Sequence, residues 1–360
     1  MSDFTEVGNS ELDAFVTACF EKSGVSKEDS RITADVLIES DRRGIASHGV
    51  ARLRRYIEGL RNGVMVPNAV HEVVKETPTT LLISGNGGLG QPVSYKTMKL
   101  VIEKAAKHNV AVAAVRNSNH YGIAGYYSMM ALKENLLGIS MTNTSPLVVP
   151  TFGRNALLGT NPISLAAPSG REQPFVLDMA TSTTPQGKLE EYNRRGKTIP
   201  EGWATDAQGL TSTDPALVLK NLKTRAGGGL LPLGGASEES GGHKGYGLAM
   251  IVEILTGVLS AGAFGPDVGR SPNAPANVCH FFAAINVAAF IPLDQFAAQL
   301  DGLIRTVRDS AKAPGQDRIY IHGEKEFTAA GRQKERVGLL NKVVEDIRDV
   351  GATLGVKAGF

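Results

Sequence analysis

Cysteine is nearly absent: Cys19 and Cys279 are the only two in 360 residues. So few, so far apart, they give no disulfide framework and no metal-type spacing, and they suit a reducing, cytoplasmic setting. An excess of charge of either sign is missing too, since 38 basic and 36 acidic residues leave a formal charge of +2. No run of like charge and no basic patch among aromatics accompanies it, which removes nucleic acid and anionic membrane surfaces from the expected partners. Long hydrophobic runs are also lacking. The longest, near residues 281–292, is broken by Asn286 and is too short to cross a bilayer. The stretch Met1-Ser2-Asp3-Phe4-Thr5-Glu6 carries acids where a signal peptide would carry basic residues before an apolar core. No His/Asp/Glu cluster stands at ligand spacing, so no metal is expected. What is present is the 42% hydrophobic content of an ordinary globular chain, long enough for two domains, with small molecules as the expected partners.

Apolar periodicity divides the chain. Helices are expected over residues 11–23, 27–43 and 49–61, together an N-terminal helical cap. A strand over 79–84, a helix over 93–108 and a strand over 110–115 follow, then short apolar strands at 137–141, 163–167 and 175–178 separated by Gly, Pro and Asn. Residues 246–260 are apolar on nearly every side, with only Glu253 charged, which predicts a helix buried in the core. A strand at 280–287, an amphipathic helix at 293–310 and a final helical segment at 328–354 complete the pattern. The stretch 227–242 contains seven glycines and no period, and reads as a mobile loop.

Two motifs carry chemistry. Ser47-His48-Gly49-Val50-Ala51-Arg52 places an imidazole and a guanidinium four residues apart, on one face if the segment is helical. A guanidinium grips a carboxylate through two parallel hydrogen bonds and an imidazole moves protons near neutral pH, so the pair suits interconversion of 2-keto and 2-hydroxy acids. The same residues would also serve as the solvated start of a helix. Gly85-Asn86-Gly87-Gly88-Leu89-Gly90 fits G-x-G-x-x-G between a strand and a helix, the placement of a dinucleotide fingerprint. The next strand, however, runs into Arg116-Asn117-Ser118-Asn119-His120 instead of the acid that would hold ribose hydroxyls. Arg116 would suit a 2′-phosphate, but a glycine-permitted turn is favoured over a Rossmann site.

Taken in order, Ser47–Arg52, Arg116–Gly122, Gly159-Thr160-Asn161-Pro162, Asp178-Met179-Ala180-Thr181-Ser182, Gly196–Trp203 and His243-Lys244-Gly245-Tyr246-Gly247 resemble the malate/L-lactate dehydrogenase family, which includes sulfolactate, ureidoglycolate and diketogulonate oxidoreductases. The resemblance covers residues 10 to 325. It implies an α/β fold: a non-Rossmann, nicotinamide-binding mixed-sheet domain over 76–315, and a helical domain in which residues 1–75 pack with the C-terminal segment 316–360. It also implies a homodimer and NAD or NADP as cofactor.

By this resemblance His48 would give a proton to the keto oxygen as hydride arrives at carbon, and take it back in reverse. Ser47 would hold the imidazole or the substrate, and Arg52 would grip the carboxylate. His120 would orient nicotinamide or substrate, or share the proton with His48. Thr160 and Asn161 would bond the substrate's carboxylate or hydroxyl. Thr144, Asp178, Met179, Ala180, Thr181 and Ser182 would hold the cofactor, with His243 and Lys244 at a helix start favouring its pyrophosphate. Gly323-Glu324 would match a late Pro-Gly-Glu cofactor contact, with His322 in place of proline. Arg54 and Arg55 match nothing and are expected to face solvent, and no role follows for Lys188. The implied activity is hydride transfer between nicotinamide and a small 2-hydroxy or 2-keto acid. Malate and oxaloacetate come first, because the glycine-rich insertion with Glu238 and Glu239 is like that of malate-type members. Lactate or sulfolactate oxidation, reduction of cyclic imino carboxylates, and a catalytically silent metabolite-binding protein are the alternatives.

Overall fold

Described over residues 3–271 and 273–360, the computed structural model opens with strand β1 (Phe4–Gly8) and helices α1 (Asn9–Lys22), α2 (Lys27–Arg42) and α3 (Leu53–Arg61). Leu12, Phe15, Val16 and Phe20 of α1 meet Ala34, Leu37 and Ile38 of α2 in one apolar cluster. Ser26 caps α2 by accepting the Asp29 N–H at 3.2 Å. The third helix starts later than its pattern predicts. Residues 46–52 form two 3-10 turns, Ala46–His48 and Val50–Arg52, joined by an extended Gly49, so His48 and Arg52 do not share an α-helical face. The cause is Asp41, a buried carboxylate that accepts the Val50 N–H at 2.7 Å and occupies the space where a side chain at 49 would lie.

The middle of the chain runs β2 (Glu72–Glu76), β3 (Thr80–Ser84), α4 (Gly90–His108), β4 (Val110–Ser118), α5 (Ala124–Met130), β5 (Leu136–Thr142), β6 (Ile163–Ala167) and β7 (Phe175–Met179). An excursion follows, with α6 (Gln186–Arg194), β8 (Ala204–Thr205), α7 (Pro215–Thr224), β9 (Gly229–Leu230) and α8 (Gly242–Glu253), before β10 (Val278–Asn286) returns to the sheet. The seven-stranded sheet has the order β2-β3-β4-β10-β5-β6-β7. Only β3 and β4 pair in parallel; the other neighbours are antiparallel. A doubly wound dinucleotide fold needs a series of parallel strands joined by crossover helices, and one parallel pair is not such a series. The mixed α/β sheet is the one expected. Central β10 is buried from Val278 to Ala284, as befits a strand flanked on both sides. Residues of α4 and α5, including Met98, Val101 and Tyr127, pack with Leu81, Ile83 and Phe282 of the sheet.

The chain ends with α9 (Leu293–Arg308), α10 (Glu324–Arg332), β11 (Arg336–Leu340) and α11 (Asn341–Leu354). The continuous helix expected over 328–354 is therefore interrupted. Arg336–Leu340 pairs antiparallel with β1, and its five residues are too few to break the helical period visibly. Val344, Ile347 and Val350 of α11 enter the same cluster as α1 and α2, so the first and last segments build one layer.

Two further expectations are corrected. The first half of the glycine-rich stretch 227–242 is tied to its surroundings: Leu230 and Leu231 are buried, the Thr183 N–H donates to Leu231 O at 2.9 Å, and the Leu233 N–H donates to Thr181 O at 2.8 Å. Its glycines permit close backbone approach; at Gly228, with φ +74°, a β-carbon would sit 2.5 Å from Asp206 O. The helix expected to be buried over 246–260 stops at Glu253, continues as a π-helical turn over Ile254–Val258, and buries one side only. Ile251, Ile254, Val258, Leu259 and Phe264 are each about half exposed, which makes an apolar stripe on the surface. Among the described residues, no helix is long and apolar enough to cross a membrane.

Candidate active site

The two imidazoles singled out in the sequence meet. His48 and His120 stack with ring centroids 5.4 Å apart and an interplanar angle of 24°. Ser47 Oγ lies 2.9 Å from His48 Nδ1, and Arg52 Nε donates to Ser47 O at 2.7 Å, which ties the guanidinium to the turn that carries His48. Burial, assisted by the Arg52 and Arg55 charges, lowers His48 to about 4. His120 is held well below the usual imidazole range by burial first, then by Arg55, His48 and Arg52. Both rings are therefore neutral at pH 7 in the unliganded protein. Arg54 turns away to Asp346 at 2.7 Å, whereas Arg55, although exposed as expected, is felt by both imidazoles.

The G-x-G-x-x-G segment positions His120 through its backbone. Asn86 (φ +48°) and Gly87 (φ +77°) make a left-handed turn whose Gly87 N–H donates to Asn117 O at 2.8 Å. The Asn119 side-chain amide returns the contact, donating to Gly87 O and Gly88 O at 2.9 and 2.8 Å. A β-carbon on Gly90 would lie 2.5 Å from His120 O. Arg116 reaches the carbonyl of Ser260, at 3.4 Å.

A cavity of about 300 Å³ has Ile45, two residues before Ser47, and Ile123, three residues after His120, in its wall, but neither imidazole lines it. Asp178, at the end of β7, lines it and accepts the Gly125 N–H at 2.7 Å. Surrounding protein pushes its carboxyl up, to about 6, against that hydrogen bond, while the cavity keeps it open to solvent. Gly323 also lines the cavity; at φ +96° it turns the chain against Val176, whose N–H donates to His322 O at 3.1 Å. Glu324 points elsewhere, to Arg318 Nη2 at 3.0 Å and the Ile321 N–H at 3.2 Å.

Thr144, Thr160, Asn161 and Thr181 are joined by a separate hydrogen-bond network, in which Asn161 and Thr181 are buried and Thr144 and Thr160 half-buried. Thr144 Oγ1 accepts the Thr160 N–H at 3.0 Å, and Thr181 Oγ1 donates toward Thr160 O and Asn161 O at 3.2 and 3.1 Å. Asn161 is fully buried with φ +38°; its amide donates to Glu253 Oε1 at 2.9 Å and Ala249 O at 3.2 Å, and its carbonyl accepts the Thr144 N–H. In the folded chain both amide hydrogens of Asn161 are therefore spent on protein groups, and one lone pair of its carbonyl is left for a ligand. Ser182 is likewise internal, donating to Thr184 O at 2.9 Å. Met179 and Ala180 are half-buried at the end of β7. His243 and Lys244 are exposed in the first turn of α8 and do not line the cavity. Lys188 pairs with Glu191 at 3.2 Å on the surface.

Tyr56, Asp41 and Arg43 were not expected at the site. Tyr56 OH lies 2.6 Å from His120 Nδ1; Asp41 shapes the His48 turn; Arg43 lines the cavity with its guanidinium 4.7 Å from the Phe327 ring centroid. The only sequence signal for Tyr56 is its place four residues after Arg52 in the helix that follows. Among the described residues there is no group of three His, Cys, Asp or Glu able to hold a metal ion.

The family model described as malate/L-lactate dehydrogenase matches residues 7–348. A malate dehydrogenase of Pyrococcus abyssi is 47% identical over 356 residues, covering 99% of this chain and 96% of the relative. A malate/(S)-sulfolactate dehydrogenase of Methanothermus fervidus is 39% identical over 93% of this chain and 94% of its own. The crystal structure of malate dehydrogenase from Entamoeba histolytica superposes with a TM-score of 0.95 at 36% identity, covering 99% of this chain and all of the other. With likeness of sequence and of fold running nearly end to end, the chain belongs to the malate/L-lactate dehydrogenase family.

Proposed function

We propose that this chain transfers hydride between a nicotinamide cofactor, NAD or NADP, and a small 2-hydroxy or 2-keto acid, with malate and oxaloacetate as the preferred pair. The observation that carries this is the stack of His48 on His120, both kept neutral by burial and by the charges of Arg52 and Arg55. The cavity suits the ribose-nicotinamide half of a dinucleotide: apolar walls from Ile45, Ile123 and Val176 would take the ring, and Asp178 would accept hydroxyl or amide hydrogens. Bound there, nicotinamide supplies or takes the hydride at the substrate's second carbon.

Arg52 keeps its two terminal nitrogens for a carboxylate while its Nε holds Ser47 O. Arg55, three residues on, brings a second cation to the same imidazoles. Two cations suit a substrate with two anionic groups, which favours oxaloacetate over pyruvate and leaves sulfopyruvate a close competitor. A bound dianion offsets both charges and raises His48 toward neutrality, so that it can carry a proton when the keto acid is bound and be free of it in the empty site. Mixing the protein with NADH or NADPH and a panel of oxaloacetate, pyruvate, sulfopyruvate and a cyclic imino acid tests this. Loss of reduced-nicotinamide absorbance, fastest with oxaloacetate, is expected; no loss with any of the four refutes it.

A homodimer is part of the proposal. The stripe of Ile251, Ile254, Val258, Leu259 and Phe264 supports it, since contiguous exposed apolar surface marks an association face. Light scattering should give twice the chain mass, and Ile254→Glu should give a monomer. The division into a cofactor domain over 76–315 and a helical domain from 1–75 and 316–360 is likewise proposed. So is a cytoplasmic location, which two buried, unpaired cysteines suit.

A further inference from the structure

We infer that Tyr56 fixes His120 as the Nε2–H tautomer, which makes His120 a hydrogen-bond donor to the substrate oxygen and leaves the transferred proton to His48. The inference rests on the dehydrogenase reading above and assigns the roles within it.

Nδ1 of His120 has two neighbours. Tyr56 OH is 2.6 Å away, and the backbone N–H of Gly122, two residues on, approaches at 3.4 Å. A backbone amide can only donate, so Nδ1 is an acceptor, the ring hydrogen lies on Nε2, and the phenol O–H also donates to Nδ1. Two features hold this arrangement. Gly122 sits in a left-handed backbone, φ +86°, where a β-carbon would meet Val36 Cγ1 at 2.7 Å, so the turn that carries its N–H is reserved for glycine. Tyr56 is wholly buried in the cluster of α1, α2 and α11, so its hydroxyl has a set direction. Nε2 of His120 has no protein partner among the described residues, and it is the ring atom left for a ligand.

The chemical consequence is a division of labour. A ring with hydrogen on Nε2 has no lone pair there to accept a hydroxyl proton, so His120 is not the base for oxidation of the 2-hydroxy acid. Nor does it readily give its hydrogen away, since that would leave an imidazolate or draw a proton from a tyrosine that burial already pushes up to about 12. It polarises the carbonyl oxygen instead, as a neutral donor aimed at developing negative charge. His48, with Ser47 Oγ 2.9 Å from Nδ1, has Nε2 left for the proton of the substrate oxygen. In oxidation the hydrogen on the second carbon leaves with its electron pair to the nicotinamide. The hydroxyl proton passes to His48 Nε2, and the C–O bond becomes a carbonyl; reduction reverses each transfer.

Long-range ¹H–¹⁵N correlation spectra of the full-length protein with ¹⁵N-labelled histidine test this without turnover. The seven histidines are assigned for this purpose with His48→Gln and His120→Gln. In the wild type, His120 should show a protonated Nε2 and an unprotonated Nδ1, unchanged between pH 6 and pH 8. Tyr56→Phe, which keeps the buried ring, should give a mixture of tautomers. It should also lower kcat for oxaloacetate about 10- to 100-fold with KM nearly unchanged, less than the 10²–10³ typical for outright removal of such a donor, because the Gly122 N–H remains. A wild-type spectrum with hydrogen on Nδ1, or an imidazolium at neutral pH, overturns the inference, as does an unaltered tautomer in Tyr56→Phe. If that variant does not fold, the wild-type spectrum still decides. A protein with the expected tautomer that consumes no reduced nicotinamide would sink the dehydrogenase reading alone.

Discussion

Gly49→Ala is the sharpest perturbation of the His48 turn. Gly49 has φ −86°, so no left-handed backbone requires glycine there. The requirement is space: a β-carbon would lie 2.0 Å from Asp41 Oδ1, 2.1 Å from Cγ and 2.2 Å from Oδ2, so the whole carboxyl must move by more than an ångström. Asp41 is 5% exposed, and its Oδ2 accepts the Val50 N–H at 2.7 Å. Displacing it strands that buried donor, at about 1–3 kcal/mol, and overpacks the region, at about 1–3 kcal/mol more. The expected loss is therefore about 2–6 kcal/mol in urea unfolding. A shift of the turn by an ångström should also cost on the order of 10²-fold in kcat. Asp41→Ala opens the space while stranding the same N–H, so the double variant should be no less stable than Asp41→Ala alone, a coupling of about 2–6 kcal/mol by the same terms. A Gly49→Ala protein with wild-type unfolding and activity, or a double variant in which the two losses add, would refute the reasoning.

Asp41 also sets a pH dependence. Burial raises it from 3.8 to about 7, against the Val50 hydrogen bond. Between pH 4 and pH 7 the unfolded chain ionises while the folded one keeps its proton, so stability should fall across that window and level off above it. Asp41→Asn retains an acceptor and cannot ionise; denaturant titrations at pH 5 and pH 8 should show its stability nearly level where the wild type loses about 2–4 kcal/mol. Arg55→Gln removes a cation that lowers both His48 and His120. The acid limb of kcat/KM for malate oxidation should move to higher pH, and the preference for oxaloacetate over pyruvate should shrink by at least about tenfold, the worth of one partly buried charge pair; an unchanged ratio would remove Arg55 from the substrate site. Gly90→Ala would drive a β-carbon to 2.2 Å from Asn119 O, a backbone atom with nowhere to go, and should abolish activity by displacing His120. Gly187→Ala, in α6 with nothing within 4 Å, should stabilise the protein by about 0.4–1 kcal/mol, and thermal melts of the two compare them directly.

Much of the site was legible because some chemistry is written in adjacent residues. Ser47, His48 and Arg52 lie within six positions, and a polar, glycine-flanked His120 just past the end of a strand stands where functional side chains collect. The weakest expectations concerned residues whose partners are remote. The resemblance places Asn161 at the substrate, and in the fold Glu253, 92 positions later, takes its amide. Tyr56 was not singled out at all, and its hydroxyl meets His120, 64 positions on. Glu324 stood in a cofactor motif and turned to Arg318.

The sequence by itself determined the elements with long, regular periods, such as α1, α2, α4 and α9, because each apolar stripe must face a core wherever that core lies. It also pointed to the kind of chemistry, since an imidazole that can move a proton and a guanidinium that can grip a carboxylate stand four residues apart. Only the tertiary structure decided that the paired ends β1 and β11 close one layer, that β10 enters between β4 and β5, and that the Gly85–Gly90 turn packs against the backbone that carries His120. Those outcomes depend on hydrogen bonds and close approaches between residues far apart in the chain, which no local spacing encodes. The stack of His48 on His120 is one of them: each ring was visible alone, and the site exists because Asp41 bends one turn and the glycines of another bring the second ring to meet it.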